Sequence, residues 1–374
     1  MADFSIRQLC GQLLSVGFDG FTAPAELLGR IARSEVGGVM LFRPNIENPT
    51  QVASLVRSLR GKSPADLPLV VSVDQEGGLV QRLKNSMTIW PDMYRVGATG
   101  DVQRTRAVGK AMGIELRALG IGWDLAPVLD VHTNPQNPVI GNRAFGSTPR
   151  VVTDHALAYW RGLHDAGVRG CGKHYPGHGD THTDSHLELP TVEHDEPRLR
   201  AIELAPFAAA ADANFEALMT AHVLYPALDP IAPATLSRRI ATTILRDELG
   251  FGGMLVSDDL GMKAVADRYE VEDLVMQSLI AGVDHFLIRG PLERQVRAFE
   301  GLVQYSELRS DVRARVEEAA RRVARFKATL KAGMPLSGDA LFKRLGRTED
   351  RALASSFARV DVTLPLSSPV VDED

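Results

Sequence analysis

Short apolar runs recur along the chain, and each is followed by a segment in which apolar residues lie three or four positions apart. The runs lack the regular alternation of a half-exposed strand, which is typical of strands buried on both faces of a parallel sheet. The eight runs are QLLSVGF (12–18), GGVMLF (37–42), LPLVVSVD (67–74), IGWDLAPVLDV (121–131), VRGCGKH (168–174), ALMTAHV (217–223), GGMLVSDD (252–259) and GVDHFLI (282–288).

The segments between these runs have the apolar spacing of amphipathic helices. Residues 101–119, 152–166 and 200–214 are the clearest of them. Eight strands alternating with helices predict a (β/α)8 barrel of the TIM type. The alternative is a doubly wound open sheet, but its G-x-G-x-x-G fingerprint between the first strand and helix is absent from the sequence.

The pattern changes beyond residue 290. Residues 293–331 are charged and helical in pattern, and Gly333 with Pro335 supplies the signals that end a helix. We therefore predict a single barrel domain over 1–335. Residues 336–374 are expected to form one helix near 344–358 and a weakly ordered tail, which is too short for a second domain.

Composition and charge exclude several classes of function. The chain is 44% hydrophobic and 24% charged, with a formal net charge of −5 and no basic block, so no nucleic-acid partner is expected. No apolar stretch approaches the ~18 residues of a membrane span, and the first residues lack a signal-peptide pattern. We expect a cytoplasmic monomer. The two cysteines indicate no disulfide framework.

Polar residues stand where the predicted strands end. Because the carboxyl ends of barrel strands meet at one rim, where the active site lies, these residues predict a site for a polar ligand. They are Asp74 after the third strand, Lys173 and His174 after the fifth, His222 after the sixth, and Asp258 and Asp259 after the seventh.

Several of these residues have a structural alternative. Asp74 could cap a turn, and Lys173 could be the ion-pair partner of a strand-end carboxylate. Arg82 could be a solvated helix residue, whereas Arg143 lies in a loop rich in Gly, Asn and Pro, where its charge indicates a function.

The two aspartates after the seventh strand are expected to differ. Aspartate is favoured at helix N-termini, so Asp259 is predicted to cap a helix over 260–268. Asp258 then remains as the functional carboxylate. His222 could equally be a hydrogen-bonded core residue or a contact with the ligand.

The stretch GKHYPGHGDTHTDSHLELP (172–190) holds four histidines at intervals of four. Such spacing would line one face of a helix, but Pro176, Gly177 and Gly179 break any helix there. The sequence therefore predicts a loop from 175 to about 190, and loops of this length are usually functional or mobile. The four are His174, His178, His182 and His186.

The loop allows two kinds of chemistry. His and Asp side chains bind zinc, but metal sites in barrels usually draw ligands from several strands, so we expect neither metal nor cofactor. The other possibility is a dyad in which Asp184 orients His186 as a general acid/base. Spacing alone leaves open an Asx-turn with a solvated histidine.

Five ordered motifs together resemble the family-three glycoside hydrolases. More narrowly, they resemble the bacterial β-N-acetylhexosaminidases of peptidoglycan recycling, over residues 5–335. The motifs are VDQEGGLVQRL (73–83), GNRAFG (141–146), GKHYPGHGDTHTDSHLELP (172–190), AHVLYPALDP-x-x-PATLS (221–237) and LVSDDLGM (255–262).

The resemblance implies roles for these residues. Asp258 matches the catalytic nucleophile, His186 the acid/base and Asp184 its dyad partner. Related β-glucosidases carry a second domain with a glutamate acid/base, for which residues 336–374 are too short. Five further residues match positions that hold the sugar in the −1 subsite, namely Asp74, Arg82, Arg143, Lys173 and His174.

The resemblance also implies the reaction. We expect a retaining exo-β-N-acetylglucosaminidase that cleaves terminal N-acetylglucosamine from muropeptides in which it is linked to 1,6-anhydro-N-acetylmuramic acid. The alternatives are a β-glycosidase for another sugar, and a variant in which phosphate attacks the intermediate. A non-enzymatic sugar-binding barrel and a metal-dependent hydrolase are further alternatives. His178 and His182 have no predicted role.

Overall fold

Eight parallel strands form a closed barrel in the computed structural model, which describes residues 4–183, 189–331 and 333–365. All eight predicted strands are confirmed. They are β1 (Leu14–Val16), β2 (Gly38–Leu41), β3 (Val70–Val73), β4 (Trp123–Asp124), β5 (Gly172–Tyr175), β6 (Ala217–Thr220), β7 (Met254–Asp259) and β8 (His285–Ile288).

The strands pair in the order β4-β3-β2-β1-β8-β7-β6-β5, so each neighbours the strand next to it in sequence and β1 pairs with β8. Bridges of Trp123 with Arg169 and Val128 with Lys173 join the β4 region to β5 and close the ring. This is the predicted TIM-type topology, in which the carboxyl ends of all eight strands share one rim.

The strand residues are nearly all buried, as continuous apolar runs predict. Helices cover the outside of the barrel. The longer ones are Ile6–Gln12, Ala25–Ala32, Pro49–Arg60, Val102–Ala118, Pro149–Ala166, Ala205–Asp212, Val271–Ala281, Leu292–Leu308, Ser310–Thr329 and Thr348–Ser356, with a π-helix at Arg239–Glu248. Shorter helices lie at Met93–Gly97, Glu196–Ala201, Lys263–Ala266 and Gly338–Phe342.

Some predicted elements differ from the structure. The helix expected over 200–214 is divided into Glu196–Ala201 and Ala205–Asp212, and Pro206 lies in the first turn of the second. A small antiparallel hairpin, Gln75–Gly77 with Val80–Gln81, follows β3 and has no counterpart in the prediction. Arg82 therefore follows a hairpin, and its interpretation as a solvated helix residue is wrong.

The segment after the barrel packs against the same helices that surround it. The amide of Leu336 donates to the carbonyl of Ala118, and the amide of Gly346 donates to the buried carboxylate of Glu115 at 2.6 Å. The helix expected near 344–358 spans Thr348–Ser356. Among the helices of the described residues, none is both long enough and apolar enough to cross a membrane.

A buried lysine joins three strands at the amino-terminal end of the barrel. The ammonium of Lys327 donates to Gln12 Oε1 at 2.7 Å, to the Gly37 carbonyl at 2.7 Å and to the Pro68 carbonyl at 2.9 Å. These acceptors precede β1, β2 and β3 in turn. One side chain from a late helix therefore satisfies polar groups at the starts of three neighbouring strands.

We predict that Lys327→Met destabilises the fold. The variant removes three hydrogen bonds, two of them buried, and the Gly37 carbonyl keeps the Val70 amide as a donor. A buried oxygen left unsatisfied costs about 1–3 kcal/mol, partly offset by the apolar side chain. The expected loss is about 2–4 kcal/mol in the free energy of unfolding, measured by urea denaturation. Arg321→Met, an exposed change on the same helix, is the control. Equal stability of the two variants would contradict the assigned role.

Candidate active site

A cavity of about 300 Å³ lies at the carboxyl ends of the strands. Six of the eight residues predicted for the site line it, which are Asp74, Arg82, Arg143, Lys173, His174 and Asp258. The other two, Asp184 and His186, lie outside the described residues. The strands explain the convergence, since Lys173 and His174 belong to β5, Asp258 to β7, and Asp74 directly follows β3.

A buried carboxylate that the sequence did not single out organises one wall of the cavity. Glu76 is 2% exposed and forms a two-point ion pair with Arg143, with Nε–Oε2 and Nη2–Oε1 distances of 2.8 Å. Lys173 Nζ lies 2.5 Å from Glu76 Oε1 and 2.6 Å from Asp74 Oδ1. Two cations thus stand against two carboxylates, which confirms the ion-pair expectation for Lys173.

The charges in this wall stabilise one another. Burial alone would raise the pKa of Glu76, but Arg143 and Lys173 outweigh burial and lower that pKa far below its usual range. Burial opposes the charged form of Lys173, yet Asp74 and Glu76 raise its pKa. Glu76 raises the pKa of Arg143 in the same way, against burial. The wall therefore presents fixed charges and donors at neutral pH, as binding of a polyhydroxyl ligand requires.

His174 is oriented by a second buried acid. Its Nδ1 lies 2.7 Å from Asp130 Oδ2, and Asp130 Oδ1 accepts the backbone N–H groups of His174 and His178 at 3.1 and 2.7 Å. Burial opposes ionisation of Asp130, but His174 and these hydrogen bonds lower its pKa. A charged Asp130 fixes the orientation of the His174 ring beside the cavity.

The two histidines without a predicted role hold the first part of the loop. His178 is buried, and its Nδ1 lies 2.8 Å from Thr181 Oγ1. Burial lowers the pKa of His178 to about 4, so the ring is neutral at neutral pH. His182 Nδ1 lies 3.2 Å from the Asn134 amide. His178 therefore stabilises the loop internally, and His182 connects the loop to the segment after β4.

Asp180 adds a polar anchor to the same part of the loop. It accepts a hydrogen bond from Thr133 Oγ1 and lies 3.1 Å from His194 Nε2 and 3.6 Å from Arg198 Nη2. Asn137 also donates to the His178 carbonyl at 2.8 Å. The chain is thus held by many contacts up to a few residues before Asp184.

The two aspartates at the end of β7 both line the cavity but make different contacts. Asp258 lines the cavity, and its Oδ1 accepts the Asp259 amide at 2.8 Å. Asp259 Oδ1 accepts the amides of Gly261 and Arg289 at 2.9 and 2.8 Å. The expectation that Asp259 caps a helix over 260–268 is wrong, because the helix begins at Lys263 with Met262 at its N-cap position. Asp259 instead stabilises the turn between β7 and this helix, together with the backbone just after β8.

His222 is a core residue. It is fully buried, its Nδ1 lies 2.8 Å from Thr235 Oγ1, and its Nε2 lies 3.1 Å from the Asp259 carbonyl. Within the described residues, no group of three or more His, Cys, Asp or Glu side chains has the arrangement of a metal site.

The sequence and the structure both match a known family. Residues 5–326 match the model described as the glycosyl hydrolase family 3 N-terminal domain. A protein named beta-hexosaminidase A from Pseudoalteromonas piscicida is 37% identical over 393 residues, covering 97% of this chain. The chain spans 65% of that relative's length. A beta-hexosaminidase from Alkalilimnicola ehrlichii is 38% identical, covering 74% of this chain and 80% of the relative.

Solved structures show the same likeness. A family 3 beta-N-acetylglucosaminidase from Paenibacillus has a TM-score of 0.89 and 39% identity, with 95% of this chain and 68% of that chain covered. NagZ from Neisseria gonorrhoeae, solved in complex with N-trifluoroacetyl-D-glucosamine, has a TM-score of 0.74 and 29% identity, with 92% and 97% covered.

We predict that Glu76→Gln lowers stability by about 3–5 kcal/mol, because it leaves Arg143 and Lys173 buried with only part of their counter-charge. The pKa of Glu76 is depressed in the fold, so its stabilisation is complete above the ordinary carboxyl range and is lost as the pH falls below about 4.3. Between pH 7 and pH 3, the free energy of unfolding should therefore fall less in the variant than in the wild-type protein. Urea unfolding between pH 3 and pH 7, with exposed Glu307→Gln as control, checks both expectations.

Proposed function

Since the chain belongs to the glycosyl hydrolases of family 3, we propose that it is a retaining exo-β-N-acetylglucosaminidase. Its proposed substrates are peptidoglycan fragments in which a terminal N-acetylglucosamine is linked to 1,6-anhydro-N-acetylmuramic acid. The match over residues 5–326 and the beta-hexosaminidase relatives support the reaction class. The cytoplasmic location and the monomeric state stay predictions.

The position of Asp258 is the observation on which the proposal depends. Its carboxylate lines the same cavity as Asp74 and Lys173, and the Asp259 amide donates to Oδ1 at 2.8 Å. A carboxylate placed beneath a bound sugar can attack C1 and displace the aglycone. We propose that Asp258 forms the covalent glycosyl–enzyme intermediate.

The charged wall suits the recognition of one sugar ring. Asp74 accepts hydrogen bonds from hydroxyl groups, whereas Arg143, Lys173 and Arg82 donate to them. The network through Glu76 and the contact of His174 with Asp130 keep these groups in place before the sugar binds. Preorganised charged partners of this kind give the orientation that an attack at C1 requires.

We propose His186 as the acid/base and Asp184 as its partner. The imidazolium would donate its proton to the oxygen of the leaving aglycone as the bond to C1 breaks. The neutral ring would then remove a proton from the water that attacks the glycosyl–enzyme, which restores both groups. The contacts of Asp180 with Thr133 and His194 and of His182 with Asn134 support this proposal, since they hold the residues just before Asp184 against neighbouring segments.

We predict that Asp258→Ala lowers turnover of an aryl N-acetyl-β-glucosaminide by at least 10⁴-fold, because no covalent intermediate can form. Trapping with a 2-acetamido-5-fluoro glycosyl donor, followed by mass spectrometry of peptides, should place the label on Asp258. Asp267→Ala, an exposed change outside the cavity, is the control. Label on another residue would overturn the assignment.

A β-glucoside and a β-xyloside tested in parallel check the sugar specificity, and the N-acetylglucosaminide should be the best substrate of the three.

We predict that the effect of His186→Ala depends on the leaving group. A 2,4-dinitrophenolate leaving group departs without a proton, whereas the sugar leaving group of a disaccharide requires one. Since kcat/KM reports formation of the glycosyl–enzyme, it should fall about 10²–10⁴-fold for the disaccharide and much less for the 2,4-dinitrophenyl glycoside. Equal losses on the two substrates would contradict the acid role.

Products formed with and without added phosphate show whether water or phosphate receives the glycosyl group.

A further inference from the structure

Arg82 lines the cavity but does not belong to a strand. It begins an irregular segment, residues 82–92, that joins the hairpin after β3 to the helix Met93–Gly97. We call this segment the Arg82 loop. Because an irregular segment has no ladder of backbone hydrogen bonds, other groups must satisfy its buried amides and carbonyls. The groups that do so decide where the arginine lies.

Two buried glutamine side chains of the hairpin hold the Arg82 loop from one side. Gln75 Nε2 donates to the carbonyl of Leu83 at 2.9 Å, and Gln75 Oε1 accepts the Leu83 amide at 3.0 Å. Gln81 Nε2 donates to the carbonyls of Leu83 and Thr88 at 3.0 and 2.8 Å. Its Oε1 accepts the amide of Trp90 at 3.0 Å. The residue directly after the arginine is therefore fixed to the hairpin.

A buried acid on a barrel helix holds the loop from another side. Glu115 is fully buried in the helix Val102–Ala118, and its Oε1 accepts the amide and the hydroxyl group of Thr88 at 2.9 and 3.0 Å. The same oxygen accepts the amide of Gly346 at 2.6 Å. One carboxylate oxygen thus joins the Arg82 loop to the segment after the barrel.

The segment after the barrel also contacts the loop directly. Gly346 has a φ of +51°, and a β-carbon there would lie 2.7 Å from the carbonyl oxygen of Ser86. Only glycine allows so close an approach of the two backbones. Ser86 itself has a φ of +61°, a left-handed conformation that persists in a non-glycine residue where the surroundings hold it. The segment therefore supports a turn of the loop that is unfavourable by itself.

Further contacts anchor this segment to the helices around the barrel. Arg104 Nη2 donates to Ser356 Oγ at 2.6 Å, and its guanidinium carbon lies 4.3 Å from the centre of the buried Phe357 ring. Arg95 Nη1 donates to the carbonyl of Val360 at 2.7 Å. The segment is thus fixed beyond the point at which it meets the loop.

We infer that residues 346–360 are a positioning element for Arg82, acting through Glu115 and the Arg82 loop. Neither Glu115 nor Gly346 is among the described residues that line the cavity, so their effect on a bound sugar must pass through the loop. The contact of Arg82 with the sugar rests on the proposed function, whereas the coupling of the segment to the loop does not depend on it.

The test compares two glycine substitutions in the segment after the barrel. Gly346→Ala places a methyl group against the Ser86 carbonyl, whereas Gly338 has a similar φ of +53° and no other described part of the chain within 4 Å of an added β-carbon. Gly338→Ala therefore carries the same backbone strain without the contact. Gly346→Ala should lower kcat/KM for an aryl N-acetyl-β-glucosaminide about fivefold, and Gly338→Ala should leave it within about 1.5-fold of wild type.

A double-mutant cycle separates positioning from a general loss of stability. In an Arg82→Met background, Gly346→Ala should lower kcat/KM by no more than about 1.5-fold, because the group that it displaces is already absent. A loss of about fivefold in that background, or equal losses in Gly346→Ala and Gly338→Ala, would overturn the inference. If Gly346→Ala does not fold, Thr88→Val replaces it in the cycle, with an expected loss of about threefold from the missing hydroxyl bond to Glu115.

Hydrogen exchange measures the coupling without turnover. Peptides that span 82–90 contain the bonded amides of Leu83, Thr88 and Trp90. They should exchange about tenfold faster in Gly346→Ala than in the wild-type protein, and at the wild-type rate in Gly338→Ala. Unchanged exchange in Gly346→Ala would overturn the inference whether or not the protein is a glycosidase. Failure of the wild-type protein to cleave the aryl glycoside would instead refute the proposed function, and the exchange rates would still decide the coupling.

Discussion

The buried pairing of Glu76 with Arg143 and Lys173 is the interaction on which the site depends. Each partner comes from a different part of the barrel, after β3, between β4 and β5, and within β5. A lone buried charge would cost several kcal/mol, so the three must be present together. Their mutual neutralisation lets Asp74 and Lys173 reach the cavity as fixed, charged groups. The geometry of this cavity wall is thus linked to the assembly of three parts of the barrel.

The fold was predictable because its signal is repeated. Eight apolar runs with helical segments between them indicate parallel strands even if one of the runs is assigned wrongly. The topology then follows from the order of the strands. Individual helices were less certain. Pro206 starts a new helix within 200–214, and the turn at Asp259–Met262 delays a helix expected from residue 260. Local backbone effects of one residue decide such boundaries.

The site was predictable where motif and position agreed, as for Asp258, Lys173 and Arg143. It was not predictable where the decisive fact is a contact between distant residues. Glu76 looks like one more acid beside Asp74 and two glycines, and only the packing of Arg143 and Lys173 around it gives it a role. In the same way, the spacing of the histidines says nothing about Asn134, which the folded chain brings to His182.

The position of Lys327 has a consequence for synthesis of the protein. Its ammonium completes hydrogen bonds at the starts of β1, β2 and β3, and β1 pairs with β8. The first strand therefore lacks both its strand neighbour on one side and this donor until nearly all of the barrel sequence has left the ribosome. Its exposed edge must be kept from other chains during that interval. A nascent chain that ends before β8 would leave this edge of β1 unpaired, and one that ends between β8 and residue 327 would lack only the lysine donor.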